Sequence, residues 1–334
     1  MTTPRLRQRQ QFPARFALTC LLAVGCKNAA TDLPPPFTTS LTLGGRTVSA
    51  AQLNHGARVY TQYCRPCHGV AGDGAGPSAL GLRPPPRDLR LGVYKFGGVA
   101  AGQLPSDADF SRIIRGGLQG TAMLAWDVPP AEVDDLIQYV KSFAPRWRNE
   151  SAGEPITAAP DPWLGREADA VQRGQKVYHG LAQCAVACHP AYATKPEIYA
   201  ATKALTGMSI AAFRADLYQP VAKDSDYGVK ILPPDFTFNR LRAGETLNDI
   251  YRSIAAGIGG TAMPTWKNVL PEADLWALAR YVRSLVDLRD DRRADELQGR
   301  LLAQPAWTPP PPPGADGGAG DGGGEVGADG TNGD

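Results

Sequence analysis

Two pairs of cysteines, each closed by a histidine, are the residues of this chain best equipped for chemistry: Cys64-Arg65-Pro66-Cys67-His68 and Cys184-Ala185-Val186-Ala187-Cys188-His189. In a secreted protein four cysteines would ordinarily suggest two disulfides. Spacing and the adjoining histidines say otherwise. A zinc site on residues 64–68 needs a fourth ligand, and a thioredoxin-like dithiol needs a βαβ context that the surrounding sequence lacks. Cys-x-x-Cys-His is the spacing at which two thiols add across the vinyl groups of a porphyrin, with the histidine placed to ligate the iron from the same face. The first motif is therefore read as a covalent haem attachment site. The second has one more residue between its cysteines, and taken alone it would equally suit a disulfide or a metal clip.

An internal repeat supplies the missing weight. Gly120-Thr121-Ala122-Met123-Leu124-Ala125-Trp126 matches Gly260-Thr261-Ala262-Met263-Pro264-Thr265-Trp266. Upstream, Asp109-Phe110-Ser111-Arg112 parallels Asp249-Ile250-Tyr251-Arg252, and downstream Leu136 to Phe143 parallels Leu278 to Leu285. Gly56 and Tyr60, before the first motif, correspond to Gly174 and Tyr178. One module occurs twice, in the order helix, Cys/His motif, loop, helix, Met-containing loop, helix.

The elements that must position these residues follow from periodicity. Val133, Leu136, Ile137, Val140 and Phe143 form one apolar helical stripe, and Leu275, Leu278, Ala279, Val282 and Leu285 form its copy. Pro129-Pro130 and Pro271 stand at the N-terminal ends of these helices, where a missing N–H costs least. Ser49 with Gln52 has the spacing of a capping box opening the first helix. Gly72, Gly74, Gly76 and Pro77 exclude regular structure after the first motif. Strands have little support, so the architecture is expected to be mainly α, with long loops able to wrap a flat cofactor.

The chain has 334 residues, 30 prolines and 37 glycines, which favours loop-rich modules over a helical bundle or a doubly wound sheet. Formal net charge is +2. With the four arginines of residues 1–25 and the five acids of the tail from Pro309 set aside, 31 basic face 28 acidic residues. No field remains that would make nucleic acid a partner. No apolar run reaches the roughly 18–20 residues of a spanning helix. Residues 1–25 read as an export signal: Arg5, Arg7, Arg9 and Arg15 precede the ten-residue apolar stretch Phe16 to Gly25. Leu22-Ala23-Val24-Gly25-Cys26 resembles a bacterial lipoprotein signal, which makes Cys26 the expected lipidation site and leaves Cys20 in the discarded leader. Ala23 stands where leucine is usual, and Ala23-Val24-Gly25 also suits ordinary small-residue cleavage.

The chain as a whole resembles two fused class I c-type cytochromes. Cys64 through Pro77 looks like the haem loop of bacterial members, as do Pro85-Pro86-Arg87-Asp88-Leu89 and Tyr94-Lys95-Phe96. The resemblance implies two tandem cytochrome c domains, at residues 46–146 and 165–289, joined by a linker at 147–164. A tether at 26–45 and a C-terminal extension at 290–334, ending in a Pro/Gly/Asp tail, flank them. It implies two haems c, bound through Cys64, Cys67, Cys184 and Cys188, with iron between His68 and Met123 and between His189 and Met263. It also implies a proline carbonyl, at Pro77, accepting the N–H of His68. The second copy departs from this pattern. Its His189-to-Met263 span is 74 positions against 55 in the first, no glycine-rich loop follows the histidine, and residues 190–232 look inserted, with a short helix expected over Ile210 to Tyr218.

The implied function is electron transfer in the periplasm or cell envelope, with redox proteins as donors and acceptors and the membrane surface reached through the lipid. A dihaem peroxidase-like enzyme is the alternative, and it would need an iron with an open position. His55 and His179 are expected at the surface. Arg87 has two readings, a partner for a haem propionate or a solvated loop residue.

Overall fold

A computed structural model describes residues 33–310. Cys20, Cys26, the leader and the end of the tail lie outside the described residues. The mainly helical architecture is what folds. The first module opens with a hairpin, β1 (Leu41–Leu43) and β2 (Arg46–Val48), followed by α1 (Ala50–Tyr63) and α2 (Arg65–His68). A long loop then leads to α3 (Asp107–Gly116), α4 (Pro130–Ser142) and α5 (Arg146–Asn149). The second module comprises α6 (Glu167–Lys176), α7 (Cys184–Ala187), α8 (Lys195–Thr206), α9 (Leu247–Ala256), α10 (Glu272–Val286) and α11 (Arg292–Leu302).

Each module has its own apolar core. Leu43, Leu53, Tyr60, Leu136 and Trp147 centre the first, and Tyr178, Ile198, Tyr251, Leu275 and Leu278 the second. The organising contact is the crossing of the module's first helix with the long helix after its methionine loop, α1 on α4 and α6 on α10. Gly56 and Gly174 stand at these crossings. A Cβ at either would lie 2.0 Å from a backbone oxygen, of Asp135 in one case and Ala277 in the other. One turn further on, Tyr60 packs on Tyr139 and Phe143, and Tyr178 packs on Tyr281. The helices before the methionine loops start alike, with capping boxes Ser106/Asp109 on α3 and Thr246/Asp249 on α9.

Several local expectations are revised. The first fold unit begins before residue 46, because Leu43 of the hairpin is fully buried against Trp147 and its neighbours. Ser49 caps α1 by accepting the Gln52 N–H, but the Gln52 side chain reaches Asp134 instead of turning back. In the inserted region the helix is α8, not Ile210 to Tyr218. Thr194 and Glu197 form its capping box, Pro196 sits in its first turn, and left-handed Gly207 stops it. Just beyond, the Arg214 guanidinium donates to the carbonyls of Asp216, Leu217 and Gln219 and holds the segment as an irregular loop.

The linker is tied to both sides. Its Ile156 N–H donates to Gly98 of the first module, while Trp163 donates to the Ala273 carbonyl and the buried pair Asp161–Arg280 joins it to α10. No described helix is long and apolar enough to cross a membrane.

His179 is also corrected: it is 1% exposed, not a surface residue. α6 runs into a π-helical turn, Val177–Leu181, which swings the ring inward. There Nδ1 donates to the Gln175 carbonyl and Nε2 accepts the Tyr192 N–H. Both nitrogens are engaged, so His179 has no lone pair to offer an iron. Burial depresses its pKa to about 4, whereas the unfolded chain holds an ordinary histidine near ~6.5. Between those values only the unfolded state takes up the proton, so this histidine costs stability as pH falls from about 6.5 towards about 4. Replacing it with leucine should destabilise the protein by about 2 kcal/mol at pH 7. That gap to wild type should close as the pH is lowered to about 4, a trend that urea unfolding at stepped pH measures. A gap independent of pH would refute the buried neutral imidazole.

Candidate functional site

The last turn of α1 delivers the first motif. Cys64 closes the helix by donating its N–H to the Tyr60 carbonyl, and α2 turns back so that the His68 N–H reaches the Cys64 carbonyl at 2.9 Å. The Tyr60 hydroxyl then donates to the carbonyl of Gly69, at 2.8 Å, and fixes the far end of the turn. His68 Nδ1 donates to the carbonyl of Arg87 at 3.1 Å. The acceptor is therefore not Pro77. That proline opens a short 3-10 turn anchored beside the motif by the Gly76 N–H on the Cys67 carbonyl. The loop's return, held by the Leu89 N–H on Gly72, brings Arg87 to the ring instead.

The second copy reproduces three of these bonds around its extra residues. The π turn absorbs one, closing from the Ala182 N–H to the Val177 carbonyl, and Gln183 takes a left-handed conformation just before Cys184. The His189 N–H reaches the Cys184 carbonyl at 3.0 Å, spanning five residues where the first copy spans four. The Tyr178 hydroxyl donates to the Pro190 carbonyl, and His189 Nδ1 to that of Pro234 at 3.3 Å. Phe236 stacks on the imidazole, centroids 5.0 Å apart. Arg214 ties the inserted loop to the motif by donating to the carbonyls of Ala185 and His189. Neither Arg214 nor Pro234 carries a local signal that sequence reasoning could have used, since each acts across a loop of irregular structure.

The methionine loops share three bonds. The Leu118 N–H donates to the Met123 carbonyl, and the Ile258 N–H to that of Met263. Thr121 and Thr261 each donate to the residue three before and accept the methionine N–H two after, at 3.1 and 3.2 Å. Trp126 and Trp266 are pinned by backbone bonds to Ile114 and Ala255. The Trp126 ring lies 5.9 Å from that of Tyr63, next to Cys64, which brings the first loop to the Cys/His turn. Met263 packs against the same core as Cys184.

The donor set fits haem better than the other readings. All four thiols are free. Burial pushes the Cys64 and Cys184 thiols up to about 12, whereas a reactive dithiol needs a thiolate near neutral pH. Among the described residues no group of three or more His, Cys, Asp and Glu side chains is arranged to hold a bare metal ion. Desolvation keeps both motif histidines neutral, lowering His68 and taking His189 to about 4. With Nδ1 donating to a carbonyl, the lone pair lies on Nε2, the tautomer an axial imidazole needs. Arg87 is half-buried, its guanidinium carbon 3.4 Å from the Tyr227 ring centroid.

Comparison with known proteins agrees with this geometry. The family model described as cytochrome C oxidase, cbb3-type, subunit III matches residues 51–140 and again 169–282, one stretch in each module. No curated protein matches. Among solved structures, a chain of the Kuenenia stuttgartiensis reducing HAO-like protein complex Kustc0457/Kustc0458 is similar, with 27% identity and a TM-score of 0.54 over 70% of this chain and 96% of that one. The repeated match takes in the Cys/His turns, the methionine loops and the helices that hold them, and the chain belongs to the cbb3-type cytochrome c oxidase subunit III family of c-type cytochromes, whose haem c is covalently bound.

Proposed function

We propose that this chain is an exported, two-haem electron-transfer protein, acting as a carrier or as the cytochrome subunit of a larger redox assembly. The observation that carries this reading is the reproduction, in both modules, of the same Cys/His turn and the same methionine loop. Cys64 and Cys67 hold one haem c, Cys184 and Cys188 the other. His68 and Met123 ligate the first iron, His189 and Met263 the second. Bound haem supplies a one-electron Fe(III)/Fe(II) couple, and thioether ligation suits a high potential. The chain does the rest. Its thioethers prevent loss of the group, the Arg87 and Pro234 carbonyls orient the imidazoles, and the threonine-braced loops hold each methionine in place.

A methionine in both copies favours this reading over peroxide reduction, which needs an open or releasable position at an iron. A structural neighbour from a protein complex supports redox proteins as donor and acceptor. Export, a periplasmic or cell-envelope location and a lipid on Cys26 rest on the leader sequence alone. A lipid tether would confine diffusion to the membrane surface and raise the effective concentration near membrane-bound partners.

The mature holoprotein should be heavier than its polypeptide by two haem groups in a mass spectrum, and Cys64→Ala and Cys188→Ala should each weaken or abolish attachment at one site. A wild-type mass carrying one haem would remove the second site from the proposal. Met123→Ala and Met263→Ala should each take away about half of the far-red methionine-to-iron charge-transfer band of the oxidised protein and lower the potential of one haem. If the double variant keeps the band, the methionines are not ligands. Cys26→Ser should move the protein from the membrane fraction to the soluble periplasm with both haems in place. A wild-type protein already soluble would leave the export proposal without its anchor.

A further inference from the structure

The two modules meet reciprocally, the segment before α3 packing on the second methionine loop and the segment before α9 on the first. Gly259 N–H donates to the Lys95 carbonyl and Ala101 N–H to the Thr265 hydroxyl, while Gln119 N–H donates to the Arg242 carbonyl. One contact breaks this symmetry. Tyr227 lies on the stretch between α8 and α9 that lengthens the second module, and it touches the supports of both sites. Its hydroxyl donates to the carbonyl of Gly259, four residues before Met263, at 2.6 Å. The adjoining Asp226 N–H donates to the Gly260 carbonyl at 3.1 Å. Its ring lies under the Arg87 guanidinium at 3.4 Å, with the Lys95 ammonium 5.7 Å from the same centroid. Arg87 is the residue whose carbonyl orients His68.

We propose that Tyr227 is a positioning residue that couples the two haem sites, its hydroxyl holding the Met263 loop and its ring holding the Arg87 strand behind His68. This rests on the reading above of His68 and Met263 as iron ligands. The Arg87 side chain makes no ion pair among the described residues, so the aromatic face is the partner of its charge, and a half-buried cation binds such a face more strongly than an exposed one. Burial pushes the Tyr227 hydroxyl up to about 12, so it is a donor throughout the physiological range. A carbonyl held by a tyrosine of the same module and an arginine held by a ring of the other module share one side chain. Displacing that side chain withdraws both supports together.

Tyr227→Phe and Tyr227→Leu, made in the full-length holoprotein, separate the two arms. The phenylalanine keeps the ring under Arg87 and lacks the bond to Gly259. It should raise amide exchange in residues 257–263 about fivefold, the loss expected for one hydrogen bond. Exchange in residues 87–95 should stay as in wild type, and only the haem whose charge-transfer band depends on Met263 should change potential. The leucine lacks both contacts and should raise exchange in both segments and shift both potentials. Equal effects of the two variants, or wild-type exchange in both segments of the leucine variant, would overturn the coupling. If Met263→Ala leaves the wild-type band intact, the ligand reading fails on its own, and the exchange data still decide whether Tyr227 bridges the modules.

Discussion

At Gly56 the first carbon of any side chain would lie 2.0 Å from the backbone oxygen of Asp135, and at Gly174 the same distance from that of Ala277. No rotamer relieves a clash between a Cβ and a carbonyl, so the backbones can approach this closely only where the side chain is absent. The rest of each module depends on that approach. With the helices in contact, the tyrosine one turn later is buried against α4 or α10, and its hydroxyl is aimed at the carbonyl that follows the motif histidine. Helix crossing, aromatic packing and the Cys/His turn thus form one connected chain of causes, present twice.

What the two copies keep and what they vary separates requirement from accident. The second motif has a longer cysteine spacing, a π turn ahead of it and a left-handed Gln183, and none of these is found in the first. Yet the bond from the first cysteine's carbonyl to the histidine N–H survives, and so do the threonine brace and the backbone bond to the methionine carbonyl. Additional residues are tolerated where the hydrogen-bonded ring still closes around them. The imidazole acceptor is conserved as a carbonyl and not as a residue type, Arg87 in one copy and Pro234 in the other. A carbonyl is available at every position, so a loop of different length and composition can present one equally well.

The same logic explains why the modules join where they do. Each methionine loop has a backbone N–H not used internally, Gln119 in the first and Gly259 in the second, and the partner module supplies its carbonyl acceptor. On the proposed reading of Met123 and Met263 as iron ligands, this arrangement steadies them, because a loop braced from two sides moves less than one braced from a single side.

The motifs, the repeat and the long helices were legible in the sequence because each depends on spacings of a few residues. Cys/His turns close over four or five positions, the stripe of Val133 to Phe143 repeats every helical turn, and Gly-Thr-Ala-Met is braced by its own threonine hydroxyl. Everything decided by the return of a long loop was not legible. Arg87 reaches His68 across 19 residues and Pro234 reaches His189 across 45, through segments with no periodicity. For the same reason Pro77 was the wrong acceptor, the helix of the inserted region formed at Lys195–Thr206 and not over Ile210 to Tyr218, and a histidine expected in solvent was turned inward by a π turn. Sequence fixes which groups can bond locally. Only the packed chain decides which distant carbonyl or ring arrives first, because that choice minimises buried unpaired polar groups over the whole module and not within any one segment.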